Sequence, residues 1–232
     1  MKTIGSTIIM LALASSLFAD NGKELKLASP DGTHEIVFYQ KQVSPAVNEL
    51  CYRVDYKSQP VVNESRAGLE LDNRIWEMAL GVRNLKQPAC WMDNLEVDSV
   101  TYQPETNLTW QPLYGERSSV RDHYRAGTLC LSKKDNSGYR LNIEVRAYNE
   151  GVAFRYFFPE HPKAIFHKVV GDLTEYALPA GTKAWTEQWA QAFFERLNID
   201  DIKHPVERAL TFELPNGKWA ALADADVDDW CL

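Results

Sequence analysis

One stretch of the sequence decides the fold: Arg146-Ala147-Tyr148-Asn149-Glu150-Gly151-Val152-Ala153-Phe154-Arg155-Tyr156. Two runs of alternating residues meet at Asn149-Glu150-Gly151, and a period of two is typical of β-strands. Glycine adopts a positive φ without steric cost, so this tripeptide is suited to reverse the chain. The stretch therefore predicts a hairpin in an antiparallel sheet.

The same pattern recurs along the chain and is punctuated by turn residues. Ser29-Pro30-Asp31-Gly32 and Pro215-Asn216-Gly217 each separate two strand-like runs. Strands are predicted at residues 24–28, 34–40, 50–56, 61–62, 68–71, 97–102, 118–126, 128–132, 139–148, 152–158, 174–177, 208–214 and 219–223. Apolar residues from Ile75 to Val82 fall at near-helical spacing, so the pattern leaves open whether this region forms a short helix. Many short strands with frequent turns indicate an all-β protein built as a large two-sheet antiparallel β-sandwich.

The N-terminal residues have the layout of a secretory signal peptide. A lysine at position 2 precedes an apolar run from Ile8 to Leu13, and small residues lead to Ala19. The run is too short to cross a bilayer as a helix. We therefore predict a signal peptide at residues 1–19, one domain at residues 20–232 and a periplasmic or secreted location. The alternative is a buried N-terminal helix.

The charge distribution limits the partners of the chain. The formal net charge is −7, and the sequence contains no block of lysine or arginine residues. Binding to nucleic acid or to anionic membranes needs such a block, so neither is predicted. No membrane span is predicted in the mature chain.

The four cysteines do not form a metal-binding pattern. Cys51, Cys90, Cys130 and Cys231 are widely spaced and include no CxxC pair. Export would permit disulfides, but a chain of this length can build a stable core without them. The sequence favours buried free thiols and leaves disulfides open.

No catalytic residue can be assigned from the sequence. A glycosidase holds two carboxyl groups about 5 to 10 Å apart across the scissile bond. Many acids could form such a pair, including Glu187, Glu195, Asp200, Asp201, Asp224, Asp226, Asp228 and Asp229. No spacing selects a pair among them, and the histidines are scattered. The acidic run at residues 224–229 lacks the glycine and glutamate of an EF-hand and fits a strand better.

One segment has the composition of a sugar-binding loop. Residues 185–195 contain Trp185 and Trp189 among carboxylate and amide acceptors, with no regular period. Aromatic rings stack on sugar rings, and carboxylates and amides take the hydroxyl groups. Trp185 and Trp189 are therefore predicted to bind substrate. The alternative is that Trp185 and the neighbouring phenylalanines close one end of the sandwich.

Several ordered motifs carry a resemblance to a known family. They are Trp110-Gln111-Pro112-Leu113-Tyr114-Gly115-Glu116, Val120-Arg121-Asp122-His123-Tyr124, the hairpin at residues 146–156, Leu178-Pro179-Ala180-Gly181 and Asn216-Gly217-Lys218-Trp219. By their order and spacing, the chain resembles the N-terminal β-sandwich domain of glycoside hydrolase family 97, which cleaves α-glucosides or α-galactosides. The resemblance implies a supersandwich similar to galactose mutarotase and an α-linked oligosaccharide as substrate.

The resemblance also implies a second module. In that family a catalytic (β/α)₈ barrel carries the catalytic acids and most of a calcium site, and the sandwich supplies one glutamate ligand. By position this metal ligand is Glu195.

The chain stops inside an acidic and apolar segment, so we expect Leu232 to be a truncation point without room for a barrel of about 250 residues. Calcium would then belong to the complete enzyme, and this chain alone would bind none and hydrolyse nothing. Two alternatives remain open: a self-contained sugar enzyme of mutarotase type, and a stand-alone secreted carbohydrate-binding module.

Overall fold

The computed structural model of the chain describes residues 24–81, 92–135, 137–163 and 166–225. The predicted signal peptide, two of the cysteines (Cys90 and Cys231) and the acidic residues 226–229 lie outside these ranges. The strands are β1 (Glu24–Ala28), β2 (His34–Ser44), β3 (Val47–Tyr56), β4 (Gln59–Arg66), β5 (Leu69–Leu71), β6 (Glu96–Tyr102), β7 (Thr106–Trp110), β8 (Val120–Ser132), β9 (Arg140–Tyr148), β10 (Gly151–Phe157), β11 (Val169–Asp172), β12 (Lys183–Thr186), β13 (Glu195–Asn198), β14 (Leu210–Glu213) and β15 (Trp219–Leu222). One helix, α1 (Arg74–Ala79), occupies the region left open by the sequence, and a 3₁₀ turn spans Ile199–Asp201.

The strands form antiparallel sheets, which confirms the predicted all-β sandwich. One sheet has the order β1-β2-β3-β4, and a second has the order β10-β9-β8-β6 with β7 also paired to β8. A third sheet has the order β13-β12-β14-β15, and β5 pairs with β11. Over the described ranges, the sandwich thus comprises four hydrogen-bonded sheets. None of the helical segments in the described ranges is long and apolar enough to cross a membrane.

The core lies between the sheet of β1 to β4 and the sheet that contains β8 to β10. Inward-facing residues such as Ile36 and Ile143 are fully buried. Phe38 of β2 stacks on Tyr52 of β3 with ring centroids 5.2 Å apart. The same Phe38 ring meets the edge of Phe154 of β10 at 5.1 Å. These aromatic contacts join the two sheets, since Phe38 and Tyr52 belong to one and Phe154 to the other.

Hydrogen bonds at the turn between β1 and β2 tie one end of the sandwich together. The Asp31 carboxylate accepts bonds from the Ser29 hydroxyl at 2.7 Å and from the Thr33 amide at 2.9 Å. These hydrogen bonds lower the pKa of Asp31 to about 2, and the bond from the Ser29 hydroxyl has the largest effect. The Asp31 amide donates to the side chain of Asn149 at 3.0 Å and so links this turn to the β9–β10 turn. Gly32 has φ +72°, as the predicted turn requires.

The hairpin of β9 and β10 is confirmed, but the prediction for its glycine is wrong. Tyr148 pairs with Gly151 across a turn made by Asn149 and Glu150. The backbone of Gly151 is not in the left-handed region and begins β10. The reversal needs no glycine because neither Asn149 nor Glu150 adopts a positive φ.

Two further strand predictions need correction. Residues 174–177 form no strand. The Glu175 amide donates to the Arg66 carbonyl at 2.9 Å and the Ala177 carbonyl accepts from the Asn63 amide at 2.7 Å, but the Ala177 amide donates to the Ser65 hydroxyl at 2.9 Å, which interrupts the ladder with β4. The predicted strands at residues 118–126 and 128–132 are one strand, β8. Gly127 does not break β8; a Cβ at this position would lie 3.1 Å from Leu25 Cδ1, so glycine permits close packing on β1. The sequence does not predict β7, β11, β12 and β13 as separate strands.

A buried polar cluster packs beside α1. The Asn73 side chain accepts a bond from the Lys168 amide at 2.7 Å, so its amino group faces Nδ1 of His167, 3.0 Å away. Nearby, Nε2 of buried His161 bonds to the Ser137 carbonyl at 2.8 Å. Burial, and to a smaller extent the neighbouring His161, lowers the pKa of His167 to about 4. His167 is therefore neutral in the folded protein at neutral pH.

We predict that His167 makes the folded state less stable in mild acid. As the pH falls from 6.5 to about 4, the unfolded chain takes up a proton at this residue while the folded chain does not, so the free energy of unfolding falls. His167→Gln keeps an acceptor for Asn73 but does not titrate, so its loss of stability over this window should be smaller. Urea midpoints at about pH 7 and about pH 5 measure the difference. The variant His204→Gln, which changes an exposed histidine, serves as control. If the urea midpoint falls by the same amount between the two pH values in wild type and in His167→Gln, the prediction is contradicted.

Candidate functional site

A cleft of about 460 Å³ opens beside the loop that joins β12 to β13. β12 ends at Thr186 and β13 begins at Glu195, and these two residues pair across the ladder. The loop at residues 187–194 therefore leaves and re-enters the sheet at one point. The carbonyl of Glu187 accepts a bond from the Glu207 amide at 2.9 Å, which fastens the start of the loop to a later segment.

Two of the predicted site residues lie together in this cleft. Trp189 and Glu195 both contribute to its lining. The Trp189 side chain is 57% exposed, and Phe193 on the same loop is 94% exposed. Two carboxylates, Glu187 and Glu195, therefore lie near aromatic rings that are open to solvent. Such a cleft can stack an apolar ring face and accept hydrogen bonds from hydroxyl groups.

Two further polar residues line the cleft: Asp201, which the sequence offered among the possible acids without selecting it, and His204, which the sequence did not single out. Asp201 ends the 3₁₀ turn after β13 and accepts a bond from the Asn198 side chain at 2.8 Å, while His204 lies in the next loop. Both line the cleft with Lys203. Their approach to the loop at residues 187–194 depends on how the chain turns after β13. No spacing in the sequence signals that turn.

Trp185 is not part of this cleft. Along β12, Ala184 and Thr186 are buried on one face of the sheet, whereas Trp185 points to the other face. Thr186 is paired with Glu195, so Trp185 and Glu195 lie on opposite faces. The indole of Trp185 stacks on Trp219 with ring centroids 4.4 Å apart. The structure thus separates the two tryptophans that the sequence placed in one loop.

The cleft does not contain a complete metal site among the described residues. Within the described ranges, no group of three or more His, Cys, Asp or Glu side chains could hold a metal ion. Of the other acids considered, Asp224 forms an ion pair with Arg208. Calcium takes six to eight oxygen ligands, so Glu195 could be only one member of such a set. The residues present fit calcium only if further oxygens come from elsewhere.

A larger cleft of about 830 Å³ lies between β10 and β15. Tyr52, Phe154 and Phe212 contribute aromatic walls, and His34 and Asp172 are among its polar residues. Burial lowers the pKa of His34, so this imidazole is neutral at neutral pH. None of the three predicted site residues lines this cleft.

Together these features define an antiparallel β-sandwich domain with an exposed aromatic and carboxylate cleft at the edge of one sheet. The sequence matches the family Glycosyl-hydrolase 97 N-terminal over residues 27–232, and the chain belongs to this family. The resemblance drawn from the sequence motifs is thereby confirmed.

Similar proteins include an alpha-galactosidase, a glycoside hydrolase family 97 enzyme and a beta-arabinopyranosidase. A retaining alpha-galactosidase from Bacteroides thetaiotaomicron is 26% identical over 178 residues, which cover 77% of this chain and 22% of that protein. A glycoside hydrolase family 97 enzyme from Pseudoalteromonas sp. strain K8, solved in complex with panose, superposes with a TM-score of 0.69 at 24% identity, covering 83% of this chain and 27% of that one. A beta-arabinopyranosidase gives a TM-score of 0.65 at 16% identity, covering 85% of this chain and 31% of that one.

The structural matches show that these enzymes contain the same fold. The chain spans about a quarter of the length of the relatives it matches. The activity named for a whole relative therefore does not transfer directly to this chain.

We predict that Glu195 alone gives the chain little affinity for calcium. A single carboxylate offers at most two of the oxygens that the ion needs. Addition of about 10 mM CaCl₂ should therefore raise the melting temperature of wild type and of Glu195→Gln by the same small amount. Differential scanning calorimetry measures both proteins. A calcium-dependent rise that is lost in Glu195→Gln but kept in Glu187→Gln would contradict the prediction.

Proposed function

We propose that this chain is the carbohydrate-binding accessory domain of an α-glycoside hydrolase. In this proposal it binds an α-linked oligosaccharide in the cleft of Trp189 and Glu195 and completes the active site of a catalytic (β/α)₈ barrel. The observation that carries the proposal is the placement of an exposed indole and a carboxylate in one cleft at the sheet edge. The names of the relatives support the substrate class, since they include an alpha-galactosidase and a family 97 enzyme solved with panose and with acarbose.

The chemistry of the cleft fits a sugar better than an apolar ligand. A pyranose ring has an apolar C–H face that can lie on the Trp189 indole, and its hydroxyl groups can donate to Glu187 and Glu195. Asp201 and His204 add further polar groups to the lining of the cleft. An apolar ligand would desolvate these groups without giving them hydrogen bonds, which costs free energy.

The exposed aromatic residues of the loop indicate where a second module would pack. Phe193 is 94% and Phe194 is 68% exposed, and both precede Glu195 directly. Burying these rings against a barrel would stabilise the complex by roughly 1.5–3 kcal/mol per side chain. The same contact would bring barrel oxygens to Glu195, which would then serve as one ligand of calcium in the complete enzyme.

The cellular location belongs to the same proposal. A signal peptide at residues 1–19 would export the domain to the periplasm or the medium, where oligosaccharides are available. Fractionation of a bacterial culture that expresses the whole chain tests this point. Recovery in the cytoplasm at full length would contradict it.

We predict that the chain binds panose and that Trp189→Ala weakens this binding. Loss of the stacking ring should raise the dissociation constant about tenfold, which corresponds to about 1.4 kcal/mol. Isothermal titration calorimetry measures the effect. Trp110→Ala, which removes an indole with 53% exposure outside the cleft, is the matched control. Equal affinity of wild type and Trp189→Ala for panose would contradict the proposed site.

We also predict that the chain has no hydrolytic activity by itself. In this proposal the catalytic carboxylates belong to the barrel, so p-nitrophenyl α-glucoside and α-galactoside should release no nitrophenol above the buffer rate, with or without calcium. Turnover that is abolished in Glu195→Gln would contradict the proposal. Exchange between the anomers of galactose, followed by proton NMR, tests the alternative of a mutarotase-type enzyme.

A further inference from the structure

The outer face of the sheet β13-β12-β14-β15 carries an aromatic pair that the proposed function does not use. The strand register places two four-residue rows on this face. They are Arg196, Trp185, Thr211 and Ala221 in one row, and Asn198, Lys183, Glu213 and Trp219 in the next. Trp219 is 58% exposed on the edge strand β15. The opposite face, with Ala184 and Phe212, is buried.

The two indoles are held in a fixed arrangement. Their ring centroids lie 4.4 Å apart with an interplanar angle of 30°. The Arg196 guanidinium carbon lies 5.0 Å from the ring centroid of Trp185, and this guanidinium also pairs with Glu213. Trp185 therefore has one neighbour in Trp219 and another in Arg196, whereas Trp219 stays largely open to solvent. A ring fixed in this way loses little conformational entropy when a ligand covers it.

The surroundings of this pair are charged. Arg196 and Glu213 lie beside the rings, and Lys183 is exposed opposite Glu213 in the register. An apolar helix or strand that covered Trp219 would desolvate these charges, and desolvated ion pairs are costly. A ligand with an apolar face and many hydroxyl groups can cover the ring and donate or accept hydrogen bonds at the charged border.

We propose that the Trp185–Trp219 pair is a second binding platform for α-linked oligosaccharides, separate from the cleft of Trp189 and Glu195. Trp219 supplies the stacking face, while Trp185 and Arg196 hold it in position and Glu213 accepts hydrogen bonds from sugar hydroxyls. The ligand class rests on the proposed function. The platform and the cleft lie on opposite faces of one sheet, so a ligand bound in the cleft does not occupy the platform.

Calorimetric titration of the whole chain with panose tests the platform. We expect wild type to show two classes of site. Trp219→Ala should weaken one class about tenfold or more and leave the other unchanged, whereas Trp189→Ala should do the reverse. Trp219→Phe, which keeps a smaller ring on the edge strand, should weaken the platform by only about threefold. Far-UV circular dichroism and the melting temperature identify a variant that fails to fold, in which case Trp219→Phe decides the question.

The outcomes separate the platform from the proposed cleft. If Trp189→Ala removes all panose binding, or if Trp219→Ala and Trp219→Phe both bind as wild type does, the platform is refuted and the cleft stands. If Trp219→Ala removes all binding and Trp189→Ala removes none, the platform stands and the cleft is refuted. Absence of panose binding by wild type at millimolar concentration would overturn both.

Discussion

The alternation of side chains along β-strands is the constraint on which both the core and the site depend. In β2 it turns Ile36 and Phe38 inward, so that Phe38 can contact Tyr52 on the neighbouring strand and Phe154 on the other main sheet. In β12 it places neighbouring residues on opposite faces. A shift of one residue in register would exchange these faces and would remove the core and the site together.

The site follows from a strand boundary. Thr186 and Glu195 form the last pair of the β12–β13 ladder, and the chain between them is free to carry Trp189 and Phe193 into solvent. The fold supplies a rigid base, and the loop supplies the aromatic rings. Glu195 stands at the boundary between them, where it is exposed but fixed by the register. This position suits a single ligand or acceptor that is completed by groups from another module.

The sequence predicted those features that depend on local chemistry. The turns at Gly32 and Gly217 have the positive φ that glycine allows, and the alternating runs became strands. The turn at Lys57 and Ser58 also has positive φ at both residues, which their side chains do not indicate. The short strands β12 and β13 have four residues each, too few for alternation to be distinguished from a loop. For that reason the sequence pattern predicted one loop that contains both Trp185 and Trp189.

Membership of the Glycosyl-hydrolase 97 N-terminal family explains the fold, and the exposed cleft gives that fold a candidate role in sugar recognition. The most direct test is a ¹⁵N chemical-shift map of the chain titrated with panose. The account predicts saturable shifts of the Trp189 indole and of backbone amides at residues 187–204, including Glu195. Saturable binding without any shift in that region, or no binding at all, would contradict it.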